Sequence, residues 1–425
     1  MEVLLHYVWK HKIFPLEELH TTSGEIVEVI DTGLPNKDAG PDFFNAKIKI
    51  NGVMWVGNVE IHENASDWFT HHHDADAHYE NVVLHVVKHA NSIIAREDGT
   101  IIPQLELPVP SYVEENYHEL FATDTYPPCY RIVKSLPKIV LHNLVDAMQM
   151  ERLYMKAAVL RDRVAQCNGD WEEAVFFTLA RNFGFGLNGD AFEAWANHVP
   201  LRAVDKHRDN LFQIEALFFG QAGLLSATDT DDYAVRLRNE YEYLAHKFQL
   251  QPMNPIVWKF ARTRPNNFPH IRIAQLAYLY QHANNLLSRI VEIQNANDVT
   301  KLLAAKTSDY WLTHYSFGKP SVAATKSLSK TAISILTINA IATILYAYGQ
   351  HTGKNCLCEQ ALNIQTSLKP ENNHITRMWA EVGVIAQHAG DSQALIQLKK
   401  EYCDKKKCLY CSLGYHYLKR QHCHE

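Results

Sequence analysis

An α+β N-terminal domain, a mixed sheet flanked by helices, followed by an all-α domain is the fold class this sequence predicts. Three observations carry it: two alternating segments joined by a turn dipeptide, a β-branched apolar run soon after them, and helical periodicity from residue 136 onward. In the first segment Ala46, Ile48 and Ile50 alternate with Lys47, Lys49 and Asn51. In the second, Trp55, Gly57, Val59 and Ile61 alternate with Val56, Asn58, Glu60 and His62, and Asn51-Gly52 between them is a hairpin turn. Asn81 to Val87 is nearly continuous in apolar residues and reads as a strand buried on both faces, with His85 its polar interior member.

The remaining elements follow in order. Leu4, Leu5, Val8, Trp9 and Ile13 have helical spacing, and Pro15 restarts the chain as a short helix through Leu19. Gly24 opens a strand from Glu25 to Ile30 that ends at Gly33, and the loop from Gly33 to Pro41 is rich in turn residues. Ser66-Asp67-Trp68-Phe69 resembles a helix start, and Ser92 to Arg96 with Ile101 to Leu107 predicts a second hairpin turned at Asp98-Gly99. Pro108, Pro110, Pro127 and Pro128 mark a change of texture. Beyond them Leu141 to Val164, Trp171 to Arg181, Gln213 to Leu225, Ile271 to Ile293, Thr331 to Tyr348, Ala361 to Ser367 and Ile375 to Ala389 carry apolar stripes of helical period. The expected divisions are 1–128, 129–398 and a basic, cysteine-containing tail, 399–425.

A chain of 425 residues with 47% hydrophobic content can bury a sizeable core. Its net charge of −6 shows no global basic excess, so contact with DNA or RNA must rest on a local patch. The N-terminus lacks a basic region followed by a long apolar run, and no uninterrupted apolar stretch approaches about eighteen residues, which predicts a cytoplasmic protein without membrane contact.

Candidate chemistry concentrates on the hairpin. Glu60 and His62 are two apart in a strand and share a face, and Asp42 precedes the first strand, so two carboxylates and an imidazole can converge on a divalent ion, Mg²⁺ or Mn²⁺. Thr70 to Tyr79 holds His71, His72, His73 and His78 with Asp74 and Asp76, a dense set of ligand types that reads as a substrate-facing wall, represented by His71 and His73. His85 is either a hydrogen-bonded core histidine or an active-site imidazole beside Glu60 and His62. In the helical part, Arg262 and Arg264 stand with Arg272, two asparagines and Phe268 in a proline-rich loop suited to phosphate contact and base stacking, and Arg181-Asn182-Phe183-Gly184 is a smaller segment of the same kind. An inter-helix connection capped by Arg and Asn is the plainer reading of both. The tail spacing Cys403-x4-Cys408-x2-Cys411 suggests a thiolate metal site for zinc or an iron–sulfur cluster. Cys129, Cys423, His416 and His422 are candidates for its fourth ligand.

Pro41-Asp42, seventeen intervening residues, then Glu60-x-His62 resembles the PD-(D/E)XK nuclease pattern. The resemblance implies metal binding by Asp42 and Glu60, with His62 where a lysine assists the attacking water. It also implies a further glutamate from the preceding helix, Glu17 or Glu18, and Cys129 as the distant ligand that joins the C-terminal cysteine trio. The wider run Ala39-Gly40-Pro41-Asp42-Phe43, Gly57-Asn58-Val59-Glu60-Ile61-His62, Ser66-Asp67-Trp68 and Leu84-His85-Val86-Val87 is similar to an uncharacterised bacterial family of unknown function, nearly end to end. The function expected is a metal-dependent phosphodiesterase acting on nucleic acid. The alternatives are a nuclease-like scaffold that has lost catalysis and a hydrolase that uses the His71 to His78 cluster as a transition-metal site.

Overall fold

The computed structural model describes residues 1–14, 18–36, 38–96, 98–226, 231–283 and 285–421. The chain divides into two compact units, Met1–Pro137 with Lys399–Glu425, and Lys138–Leu398.

The first unit is built on a seven-stranded mixed sheet. Its strands are β1 (Leu19–His20), β2 (Ile26–Asp31), β3 (Leu34–Pro35), β4 (Phe43–Ile50), β5 (Val53–Asn64), β6 (Val82–His89) and β7 (Gln104–Glu106), in the order β1-β2-β4-β5-β6-β7 with β3 on β4. Pairs up to β4–β5 are antiparallel, and β5–β6 and β6–β7 are parallel. Helix α1 (Glu2–Lys10) precedes the sheet, and α2 (Asp67–Thr70) lies in the crossover between β5 and β6. The main hairpin forms as the alternation predicts: Ile50 pairs with Val53, and Asn51 and Gly52 take φ of 46° and 83°. Two positive φ values in a two-residue loop match the right-handed twist of the flanking strands, which is why Asn-Gly is selected there.

Two local departures from regular pairing shape the site end of the hairpin. The register slips by one residue between Phe43 and Ala46, with Asn45 at φ 55°, and this bulge re-aims the chain that carries Asp42. Gly57 sits where β6 joins β5. A Cβ there would lie 2.4 Å from Val83 Cγ1 and 2.7 Å from the Asn81 carbonyl oxygen, so the missing side chain permits the close parallel approach.

Two predicted elements are corrected. Leu19 does not end a helix: Leu19 and His20 pair with Val27 and Ile26 as an edge strand, because strand pairing offers their backbone groups partners. The expected second hairpin shrinks to one antiparallel bridge, Ala95 with Ile101. Its second arm instead pairs in parallel with β6, where Leu105 is buried.

The C-terminal segment belongs to this unit. The Asn116 amide, on α3 (Ser111–Ala122), donates to the carbonyls of Leu418 (3.2 Å) and Arg420 (2.8 Å), and Arg420 also pairs with Glu119.

The second unit is all-helical. The stripe from Leu141 to Val164, which allowed a helical pair or one long helix, lies on one long helix, Lys138–Gln166, and Phe176, Trp195, Phe218 and Ile344 sit in one contiguous core. Helix Lys330–Thr352 has the length and apolarity to cross a membrane, but 72% of its apolar window is buried inside the unit. It contains a π-helical turn, Thr337–Ile341.

Candidate functional site

Glu60 and His62 project from one face of β5, and the parallel register sets His85 of β6 opposite Glu60. All three are buried, at 5%, 1% and 0% exposure. Asp42, just before β4, exchanges bonds with the strand beside it. Its backbone N–H donates to Glu60 Oε2 at 3.0 Å, and its own Oδ2 accepts from Ile61 N–H at 3.0 Å. The two carboxylates predicted to converge are therefore brought together, each holding a backbone group of the other's segment.

The histidine-rich segment supplies the rest. His72 takes a left-handed conformation (φ 60°), and His71 and His73 on either side both reach the cluster. His73 Nε2 lies 3.3 Å from Glu60 Oε1, His62 Nε2 lies 3.4 Å from the same oxygen, and His71 Nδ1 is 3.2 Å from His62 Nε2. His72 and His78 stay exposed, His78 bound to Asp76 at 2.6 Å. His73 stacks on Tyr79 at 3.8 Å between ring centroids, and Trp68 meets His62, His73 and His85 edge-on. Trp68, Tyr79, Val82, Ile94 and Ile102 form the apolar cluster behind these imidazoles.

A directional chain of hydrogen bonds runs inward. The Gln104 amide nitrogen donates to the Ser92 carbonyl at 3.0 Å and faces His85 Nδ1 at 3.4 Å, while His85 Nε2 is 2.9 Å from His62 Nδ1. With His85 accepting from Gln104, its proton sits on Nε2 and is donated to His62 Nδ1, which leaves His62 to donate from Nε2 toward Glu60.

Burial controls the charges. It pushes Glu60 up to about 7 against the lowering pull of a His73 hydrogen bond, with the Asp42 charge adding to the rise. Burial also raises Asp42, while His6 and the Ile61 N–H oppose it. His62 is pushed down to about 3 by burial and then by His85 and His73, and His85 down to about 4 by burial and His73. A neutral His62 is a ligand or a neutral donor, so it does not reproduce the cation that a lysine would place there.

Sequence reasoning missed His6 and Glu2 of α1. His6 Nε2 lies 3.3 Å from Asp42 Oδ2 and 3.9 Å from Glu2 Oε1. The signal was present as an i, i+4 pair on the polar side of an amphipathic helix, but nothing local tied that helix to Asp42. Glu17, the residue proposed for this position, lies outside the described residues. Glu18 is described, and its carboxylate lies 3.9 Å from His20 Nε2.

The cysteines of the first unit form a second cluster. Cys129 and Cys403 are each 7% exposed, and Cys408 and Cys411 are partly buried. Burial raises every one of these thiols, Cys403 to about 12 and Cys408 to about 11. Cys129 is raised further by the three tail sulfurs, so chain folding has brought all four into mutual electrostatic range. Backbone N–H groups of Leu413 and Gly414 hydrogen-bond the Cys411 sulfur. Among the described residues, no three of these sulfurs come within 4.8 Å of one another, whereas one ring nitrogen from each of His62, His71 and His73 does. His422 and Cys423 lie outside the described residues.

In the second unit Arg262 and Arg264 are exposed beside the turn Pro265–Asn267, while Arg272 is buried and held by Gln275 and Asn267. Arg181 and Asn182 line a cavity of about 200 Å³ with Lys156, Arg163, Thr178 and Asn339.

Residues 2–374 match the family described as protein of unknown function, DUF2851. Comparison with curated proteins and with solved structures found no match.

Proposed function

Because the chain belongs to the DUF2851 family, whose description assigns no activity, we propose from the chemistry of the site that it is a metal-dependent phosphodiesterase acting on nucleic acid. The observation that carries this reading is the meeting of Asp42, Glu60 and His62 at one end of a β-β-β-α-β arrangement preceded by α1. An acid at the start of one strand and acid-x-His on the strand beside it is what the PD-(D/E)XK resemblance implies.

A divalent ion at Glu60 would lower the pKa of a bound water and neutralise charge on the scissile phosphate. Asp42 supplies the second carboxylate, and His6 of α1 stands beside it where the resemblance implied a glutamate. His62, His71 and His73 place imidazole nitrogens where the resemblance implied a lysine, and His62 is held neutral by burial. Incubating the protein with single- and double-stranded DNA and RNA, with Mg²⁺, Mn²⁺ or Zn²⁺, tests the reading. Cleavage by the wild type that is lost in Glu60→Gln supports it. No cleavage under any of these conditions overturns it and leaves the scaffold reading in place.

The cysteine cluster supports a second, structural metal site at Cys129, Cys403, Cys408 and Cys411. A single zinc with bonds of about 2.3 Å holds tetrahedral sulfurs about 3.8 Å apart. Four cysteine thiolates suit either zinc or an iron–sulfur cluster. Iron and zinc content of anaerobically purified protein separates the two.

A further inference from the structure

We propose that Glu60, His62, His71 and His73 form a binding site for one divalent transition ion of the zinc type. The proposal deepens the phosphodiesterase reading, on which it rests for the role of the ion but not for its presence.

The first argument is geometric. Metal–ligand bonds of about 2.0–2.1 Å put the donor atoms at the corners of a tetrahedron about 3.3–3.4 Å apart. The separations here are 3.2 Å between His62 Nε2 and His71 Nδ1, 3.4 Å between His62 Nε2 and Glu60 Oε1, and 3.3 Å between His73 Nε2 and Glu60 Oε1. The three imidazoles keep one nitrogen each within 4.8 Å of the others and form the core of the site; Glu60, in reach of His62 and His73, falls outside that mutual set and closes on the ion from their side. Three ring nitrogens and a carboxylate oxygen drawn this close share few protons among them, and a cation at their centre gives every lone pair a partner.

The second argument is charge. Glu60 is 5% exposed, and among the described residues no lysine or arginine pairs with it. A buried carboxylate without a lysine or arginine partner is stable when paired or bound to metal.

The third argument is the shell behind the ligands. A ligating histidine is oriented by the hydrogen bond of its other ring nitrogen. His62 Nδ1 has such a partner in His85 Nε2 at 2.9 Å, and His73 is held flat against Tyr79. Metal on His62 Nε2 moves the His62 proton to Nδ1, from which it is donated to His85. His85 then carries its proton on Nδ1, which requires the Gln104 amide to release the Ser92 carbonyl and turn its oxygen toward that nitrogen.

Imidazole donors decide the metal class. Magnesium prefers oxygen ligands and keeps its waters, whereas zinc, cobalt and manganese accept nitrogen. Asp42 is the second carboxylate of the site but not one of these four ligands: its backbone N–H holds Glu60 Oε2, and its Oδ2 accepts from Ile61 N–H and lies 3.3 Å from His6 Nε2. His71 is the exposed ligand, so its side of the ion is the one water and substrate can approach.

Cobalt(II) titration of chelator-treated protein tests this without substrate, because nitrogen and oxygen coordination gives visible d–d bands free of the thiolate charge-transfer absorption that the cysteine cluster would produce. We expect one thiolate-free cobalt site per chain, displaced by zinc and unaffected by excess magnesium. Substituting His71→Ala, an exposed position that leaves folding intact, should weaken cobalt binding at least tenfold, and His71→Ala/His73→Ala should abolish it. Asp42→Asn should retain it. An unchanged cobalt spectrum in the double variant, or displacement by magnesium as readily as by zinc, overturns the proposal. Nucleic-acid cleavage with Mg²⁺ that survives in the double variant would sink the metal site and keep the phosphodiesterase. Cobalt binding that depends on both histidines, in a protein that cleaves nothing, would do the reverse.

Discussion

Replacing Glu60 by Gln should make the metal-free protein more stable at pH 8, even though it removes the central side chain of the site. Burial raises the folded-state pKa of Glu60 from 4.5 to about 7. The folded state therefore holds this proton more tightly than the unfolded chain does between those values, and stability falls as pH rises through that window. Above pH 7 the loss is complete. A difference of 2.5 units at about 1.36 kcal/mol per unit is on the order of 3 kcal/mol. Glutamine keeps an oxygen to accept the Asp42 N–H but carries no charge to desolvate, so its stability curve lacks this slope. His62 and His85, both lowered, give the opposite slope below pH 6.5 in both proteins and cancel in the comparison. Thermal melts in chelator from pH 5 to 8.5 should show the variant gaining on the wild type across this range and then levelling off. For a unit of roughly 150–250 residues the full effect corresponds to about 6–12 °C. Saturating zinc should reverse the order, since the ion binds the native carboxylate and at a thousandfold excess over Kd adds about 4.1 kcal/mol, more than the deficit. A variant less stable than wild type at pH 8 in chelator, or a gap that ignores pH, would refute the reasoning.

Other outcomes follow from the same geometry. His62→Lys should lose both cobalt binding and cleavage, because it removes a ligand and the partner of His85; retained Mg²⁺-dependent cleavage would restore the lysine-like role that the PD-(D/E)XK resemblance implied. Gly57→Ala should destabilise the first unit by roughly 1–3 kcal/mol, since its Cβ would meet Val83 and the Asn81 carbonyl, and an unshifted melt would show that β6 can move aside. Cys129→Ser and Cys411→Ser should each lose iron or zinc relative to wild type in elemental analysis, while full metal content in Cys129→Ser would remove that residue from the ligand set.

What the sequence disclosed depended on period and spacing. The alternation of Ala46 to Ile50 and Trp55 to His62 gave the hairpin, its turn and the shared face of Glu60 and His62, because these are properties of residues close together in the chain. The β-branched run gave β6, and the placement of His85 beside Glu60 then followed from parallel pairing. His6 was illegible as a site residue, since nothing in α1 records which loop it will face. The alliance of Gln104 with His85 depends on a third strand that sequence assigned to a hairpin. His71 and His73 were visible only as part of a polar run; the left-handed turn at His72, which separates them from their exposed neighbours, has no marker as plain as a glycine.

The sharing of one unit between both ends of the chain has a consequence for biosynthesis. Residues 138–398 emerge from the ribosome as one uninterrupted segment and can condense while translation continues. The sheet, made earlier, must wait. Asn116 has no carbonyls to bind, and Cys129 has no sulfur neighbours, until the last residues are released. The unit whose strands are translated first is thus completed after the helices, so a ribosome that stalls within the codons for residues 403–420 leaves finished helices attached to an unfinished sheet domain.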